Sequence, residues 1–402
     1  MLNNQNIIKK TKYIKKNTKK FNEIILCLFL GGFSSFSILY CVQSILPIFS
    51  KQFCLTASES SLSLSATTAT MAIGTLFTGI LSDVIGRKLI MSTSLLIASI
   101  LTIICSFVDN WNMIIFLRAL IGLSLSGVVA IAITYIVEEI HSHSLSFCIG
   151  LYISGNTIGG CFGRIISSII AEHFSWNTSL LTIGLFSLIS SFLFLYFLPS
   201  SKNFYPIPVN YKKFLSNFYL HLKNPILLIL FMIGFLLMGS FITIFNYIGY
   251  RLILKPFLLS ASSIGLLSII YLTGVYSSPK AGMLINKYNK VNILIISLLL
   301  MILGLLITQF NQIIIIIAGL IIFSGGFFAS HSIASSWVSA YAKFAKVQAT
   351  SLYLFFYYLG SSIFGTFSGF FWFYSKWLGI SIFMIIILIY GIFLSLQLKK
   401  FN

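Results

Sequence analysis

Apolar runs of roughly twenty residues, repeated from end to end with only short polar breaks between them, dominate this chain. They fall approximately at 24–47, 61–82, 89–108, 112–136, 145–170 and 178–198, then at 226–249, 262–282, 291–310, 313–338, 349–373 and 378–397. Each is long enough to cross a hydrocarbon core about 30 Å thick. The runs do not alternate and far exceed the length of a barrel strand, so they are expected to be helices. Composition agrees: 58% of the residues are apolar and 8% charged, against about 25% charged in a soluble chain. The expected fold is an all-α membrane protein with twelve transmembrane helices.

The net charge of +19 does not point to nucleic acid, because its placement follows the breaks. Seven lysines crowd the first twenty residues, and most others sit in every second break. Counted by side, the face with the N-terminus collects twenty Lys and Arg; the other holds Lys51, Arg251, Lys255 and Lys376. That bias places both termini in the cytoplasm, with the basic tail, residues 1–22, against anionic lipid headgroups. The six cysteines show no zinc or redox spacing.

The longest polar break, 199–224, carries Pro199, Pro206 and Pro208 and divides the chain into six-helix halves, 23–198 and 225–398. The halves look like a parallel repeat. Gly79 matches Gly282 at an offset of 203, and Gly155 matches Gly360 at 205.

Three segments carry the functional signal. Gly79-Ile-Leu-Ser-Asp83-Val-Ile-Gly86-Arg87-Lys88 closes the second span. Its carboxylate suits a latch on a helix N-terminus or an Arg; the bland alternative is a charged edge loop that only sets topology. Arg118 and Arg164 lie inside spans four and five. An Arg in hydrocarbon seeks a cavity or a partner, and two cations near one cavity favour a polar or anionic ligand; snorkelling toward headgroups is the alternative. Gly155, Gly159 and Gly163 share a helix face, with Gly160 beside them, and Gly360, Gly365 and Gly369 repeat the arrangement. Such ridges let neighbouring helices approach and slide.

Gln43, Tyr152, Asn156, Asn246 and His331 are further cavity candidates, the amides because an unpaired amide is expensive in lipid. Tyr40, Tyr135, Tyr247, Tyr357 and Tyr358 are weaker ones, since span-end tyrosines usually belong to the interface belt. Nothing acidic follows Glu172, and none of the seven acids lies at mid-membrane, so no carboxylate proton relay is visible. No nucleotide-binding Gly-Lys motif or metal cluster occurs. The expectation is a transporter and not an enzyme, with no cofactor, working as a monomer on a small-molecule solute. A channel or a membrane scaffold predicts neither glycine ridges nor a half-by-half repeat.

On these residues the chain resembles the major facilitator superfamily along essentially its whole length. Gly79 to Lys88 is similar to that family's Gly-xxx-Asp-xx-Gly-Arg-Lys signature. Arg118-Ala-Leu-Ile-Gly122 resembles its span-four motif. Gly155-Asn-Thr-Ile-Gly159-Gly160 is similar to the span-five motif of the exporter branch, with Asn156 in place of Pro. The second-half copy of the signature keeps Gly282 but has Asn286 in the acidic place. The resemblance implies efflux from a bacterial cell across the inner membrane by alternating access and proton antiport, with import as the alternative. It also implies that Asp83 and Arg87 belong to a cytoplasmic gate, Arg118 to the central cavity and the Gly155–Gly160 ridge to helix contact during switching.

Overall fold

A computed structural model describes residues 13–16, 18–204, 211–285 and 287–401. Asn286 and the tail lysines Lys9, Lys10 and Lys12 lie outside the described residues. Among those described, the long elements are helices: α1 Lys19–Tyr40, the short α2 Leu46–Gln52, α3 Ala57–Ile85, α4 Arg87–Cys105, α5 Trp111–Glu139, α6 Leu145–His173 and α7 Trp176–Phe197. The helix α8 Tyr211–Lys223 precedes α9 Pro225–Ile253, α10 Ala261–Leu266, α11 Thr273–Leu284, α12 Lys290–Ile307, α13 Ile313–Tyr341 and α14 Lys346–Gln397. Eleven stretches are long and apolar enough to span a membrane. The last of them, α14, is two spans joined end to end, because Ser375 and Lys376 leave the helical region, Lys376 with φ +49°.

The sequence dictates several boundaries. Thr56 and Glu59 form a reciprocal capping box that starts α3. Gly86 ends α3 at φ +112°, a conformation open to glycine and strained for other residues, and this lets α4 begin at the next residue. Two spans are less regular than their hydropathy suggests. The first breaks after Tyr40 and runs through a 3₁₀ turn, Gln43–Ile45, into α2. The eighth is interrupted by 3₁₀ residues Leu267–Leu272 between α10 and α11. The linker read as a polar break contains α8.

The first six spans pack as one bundle, α1 on α6 and α7, α5 on α3 and α4. The last six form a second, with α9 on α14 and α13 on α11 and α12. The glycine ridges are the packing surfaces. A Cβ at Gly155 would stand 2.5 Å from the Phe29 carbonyl oxygen of α1, one at Gly163 2.6 Å from that of Ser37, and one at Gly159 would overlap the Phe33 backbone. Ser37 Oγ fastens the ridge by donating to the Gly159 carbonyl at 2.9 Å. Gly360 of α14 meets the Phe235 backbone of α9 in the same way.

The two bundles meet at the end remote from the termini. Ser50 shares a 2.7 Å hydrogen bond with Tyr250. Ser58 donates to the Thr366 carbonyl at 2.8 Å. The Ser262 amide donates to Glu172 at 2.6 Å, and Gly265 packs on Ser168. At the opposite end, Gly79 and Gly282 have no atom of the described residues within 4 Å of an added Cβ. The protein is therefore closed on the face away from its termini.

Candidate functional site

The two irregular spans converge on one buried cluster. The break after Tyr40 turns Gln43 into the seam between the bundles. Its Nε2 donates to Asn246 Oδ1 on α9 at 2.7 Å, and its Oε1 accepts from Arg164 Nε of α6 at 2.6 Å. Arg164 Nη1 donates to the Gly160 carbonyl at 2.7 Å. The guanidinium lies between two rings, 4.0 Å from the centroid of Tyr40 and 4.3 Å from that of Tyr271 in the 3₁₀ segment of span eight. Desolvated contacts of this kind are worth about 2 kcal/mol or more each. Arg164 is 3% exposed, and its partners are an amide oxygen, a carbonyl and two π faces; no carboxylate is among them. Gln43, Ser44, Arg164, Phe245, Ser268 and Tyr271 enclose a cavity of about 20 Å³, room for about one water. Gly365 lies beside it: an added Cβ would stand 3.3 Å from Asn246 Nδ2 and 3.2 Å from Ser65 Oγ.

An aromatic wall extends from this cluster into the second bundle. Tyr271 meets Phe245 edge-on at 4.5 Å and Phe241 at 4.9 Å. Phe241 stacks on Phe327 at 3.9 Å, and beyond it His331 Nδ1 is 2.9 Å from the Tyr353 hydroxyl.

Arg118 occupies a different kind of place. It is fully buried, and all three of its guanidinium nitrogens donate to backbone carbonyls: Nε to Ser63 at 2.9 Å, Nη1 to Ile38 at 2.9 Å and Nη2 to Leu39 at 2.8 Å. The break in α1 frees the Ile38 and Leu39 carbonyls, and Arg118 satisfies them. Asn156 stands with its side chain against α1 at Gly32, beside the Tyr152 carbonyl, and Tyr152 is buried.

The segment from Gly79 to Lys88 forms an ion-pair cluster at the other face. Arg87 Nη1 contacts Asp83 at 2.5 Å. Nη2 and Nε bind the two oxygens of Glu138 at 2.8 and 3.2 Å, the bidentate fork that holds carboxylates best. The linker joins in, with Asn203 donating from its amide to Glu139 at 2.8 Å and from Nδ2 to the Glu138 carbonyl at 3.0 Å. Phe204 lies on the Arg87 guanidinium at 5.4 Å. Sequence reasoning missed Glu138 as the partner of Arg87 and Tyr271 as the lid of Arg164. The acid pair at the end of span four was a usable signal for the first; one tyrosine among nineteen offered none for the second.

The comparisons with known proteins bear on this geometry. The family model for the Major Facilitator Superfamily matches residues 28–365. The chain is 76% identical over 98% of its length to an uncharacterized transporter of Buchnera aphidicola subsp. Schizaphis graminum, covering 95% of that protein. It is 50% identical, with the same coverage of both chains, to the inner membrane transport protein YnfM of Escherichia coli. Over 34% of this chain and 31% of the relative it is 34% identical to the niacin transporter NiaP of Acinetobacter baylyi. Among solved structures, a point mutant of the nucleoside transporter NupG superposes with a TM-score of 0.78 at 15% identity, over 93% of this chain and 99% of that one. This is a multi-pass protein of a bacterial inner membrane that moves a small solute by alternating access, and it belongs to the major facilitator superfamily.

Proposed function

We propose that the solute is a small planar aromatic acid, bound as its anion at Arg164 where the two bundles meet. The observation that carries this reading is the company Arg164 keeps. A buried guanidinium ordinarily finds a carboxylate; this one is held by two tyrosine rings, an amide and a carbonyl. An incoming carboxylate supplies the missing fork partner, and a flat ring matches the faces of Tyr40 and Tyr271 once the bundles part and the cavity widens beyond its present room for about one water. The partial likeness to a niacin transporter supports the same chemistry, since niacin is an aromatic acid.

In this reading residues 23–198 and 225–398 rock about the linker 199–224. With the termini in the cytoplasm, the closed face is the outer one, and the conformation faces inward. Efflux in exchange for protons is supported by the likeness of Gly155–Gly160 to the exporter motif. A second reading, in which acid and proton move together, is favoured by the absence of any Asp or Glu among the partners of Arg164.

Inside-out vesicles test both. Labelled nicotinate and benzoate should exchange in counterflow without any gradient, more slowly with Arg164→Gln. An acid interior should then drive accumulation if solute and proton exchange, and an acid exterior if they travel together. Failure of every aromatic acid tried to show counterflow would sink the cargo assignment.

A further inference from the structure

Proton-coupled transport, as read above, requires a group that gains a proton on one face and loses it on the other. The chain offers few. Every acidic residue lies within about one turn of a helix end or in a loop. Of five histidines, His141 and His143 sit between α5 and α6, His173 ends α6, and His221 lies in α8. His331 alone stands inside a spanning helix, ten residues before the end of α13 at Tyr341, about 15 Å in at 1.5 Å per residue. An arginine guanidinium is not deprotonated in proteins, so it cannot carry the proton.

The surroundings of His331 suit the task. Its Nδ1 is tied to the Tyr353 hydroxyl at 2.9 Å, and its ring packs on Tyr357 at 4.6 Å. The residue is half-buried, and Nε2 makes no hydrogen bond to the described residues. The titratable and charged groups on the elements around it can be named. From α14 they are Tyr353 and Tyr357, and from the 3₁₀ segment Tyr271. From α12 it is Lys290, which lies over Trp337 further along α13. The wall contributes Phe241 from α9, and α11 packs Gly274 on Phe328; neither titrates. The Lys280–Tyr276 pair of α11 is exposed and bonded to itself. Among the described residues no carboxylate contacts the imidazole.

A charge on His331 is also mechanically connected. In the neutral ring one nitrogen donates and the other accepts; in the cation both donate. Protonation therefore fixes Nδ1–H as the donor and forces the Tyr353 hydroxyl to act as acceptor. The Tyr353 ring packs on Gly234 of α9, 2.7 Å from where a Cβ would stand, and α9 carries Asn246, the seam partner of Gln43. The stack His331–Phe327–Phe241–Tyr271 reaches the lid of Arg164 by a second route.

We propose that His331, with Tyr353 as its orienting partner, is the proton site of the transport cycle, taking a proton from water on Nε2 and returning it to water from the same atom on the other face. This rests on the proton-coupled reading above but not on the identity of the cargo.

The test uses full-length protein in proteoliposomes with labelled benzoate and an internal pH dye. For His331→Gln, gradient-driven accumulation should fall at least about tenfold further than gradient-free counterflow, the loss of one ordinary coupling free energy. Tyr353→Phe should keep coupling and move its pH midpoint. A solute-free readout separates this idea from the cargo assignment: maleimide labelling of Ser262→Cys, in a background with the native cysteines removed, reports opening of the closed face. Its rate should depend on pH in the presence of His331 and be flat with His331→Gln. The proposal is overturned if His331→Gln accumulates solute like the wild type, or if neither wild-type flux nor wild-type labelling responds to pH. Should His331→Gln fail to give monodisperse protein, an unmoved midpoint in Tyr353→Phe overturns it.

Discussion

Gln43 donates to Asn246 at 2.7 Å, and the two residues stand 203 positions apart. That is the offset separating Gly79 from Gly282, so the bond joins equivalent positions of the two halves where they meet. Ser50 and Tyr250, at an offset of 200, meet nearby. An amide both donates and accepts, which suits a contact between a position and its own counterpart.

Orientation is the first prediction. With the charge bias described above, a reporter active only in the cytoplasm should work when fused after residue 210 and fail when fused after Lys376. The closed face is then periplasmic. The opposite pair of signals would reverse the assignment of both faces.

The two buried arginines should separate cleanly. Arg118→Leu removes three charge-assisted hydrogen bonds of about 1.5–3 kcal/mol each, leaving the Ile38 carbonyl only its weaker bond from the Cys41 thiol and taking the Arg118 donor from that of Leu39. Folded yield and melting temperature should drop, with Arg118→Lys recovering part. Arg164→Gln gives up two ring contacts, so melting should fall here too, but the folded protein should in addition show a half-saturating solute concentration raised about ten- to a hundredfold, the worth of one charged hydrogen bond. Fluorescence-detected size exclusion and initial rates distinguish the two. Wild-type melting of Arg118→Leu would show that its three bonds are not needed.

Gly159 and Gly150 lie on the same helix and make a matched pair. A side chain at Gly159 runs into the Phe33 backbone, whereas one at Gly150 meets no described atom within 4 Å. Gly159→Leu should push α6 off α1 and lower thermal stability by several kcal/mol, as overpacking at a backbone contact does. Gly150→Leu should melt like the wild type. Equal melting of both variants would place the ridge against lipid.

Glu138 links the ion-pair cluster to the linker. Glu138→Gln leaves Arg87 its contact with Asp83 but weakens the bidentate fork. Hydrogen exchange over residues 199–204 should quicken in this variant and also in Asn203→Ala, which loses the Nδ2 bond to the Glu138 carbonyl. Unchanged exchange in both would mean that the linker is held by other contacts.

Much of this architecture can be read from hydropathy and spacing. The helices coincide with the apolar runs to within a few residues, and the segment from Gly79 to Lys88 announces its own ion pair through Asp83 and Arg87. What hydropathy does not reveal is where a span breaks. The 3₁₀ segment Leu267–Leu272 is as apolar as the helices around it, so nothing marked Tyr271 as a neighbour of Arg164. For the same reason Arg118 reads as a cavity residue in the sequence. Its partners are carbonyls, which every residue carries and no motif records. The amphipathic helix α8 was hidden inside a stretch whose prolines and lysines suggested only a break.

The seam that holds the far face shut consists largely of uncharged groups, namely amides, serine and threonine hydroxyls and backbone carbonyls, with Glu172 and the Arg164–Tyr271 contact the exceptions. Neutral bonds of this kind contribute about 0.5–1.5 kcal/mol each, and water recovers most of that when they part. A door closed by strong ion pairs would need a cargo of very high affinity to move it, and such a cargo leaves slowly. One closed by a few weak bonds can be tipped by a ligand whose preference for the other conformation is only a few kcal/mol. The protein can then be fast with a solute that it holds loosely, the regime in which a carrier turns over instead of trapping what it binds.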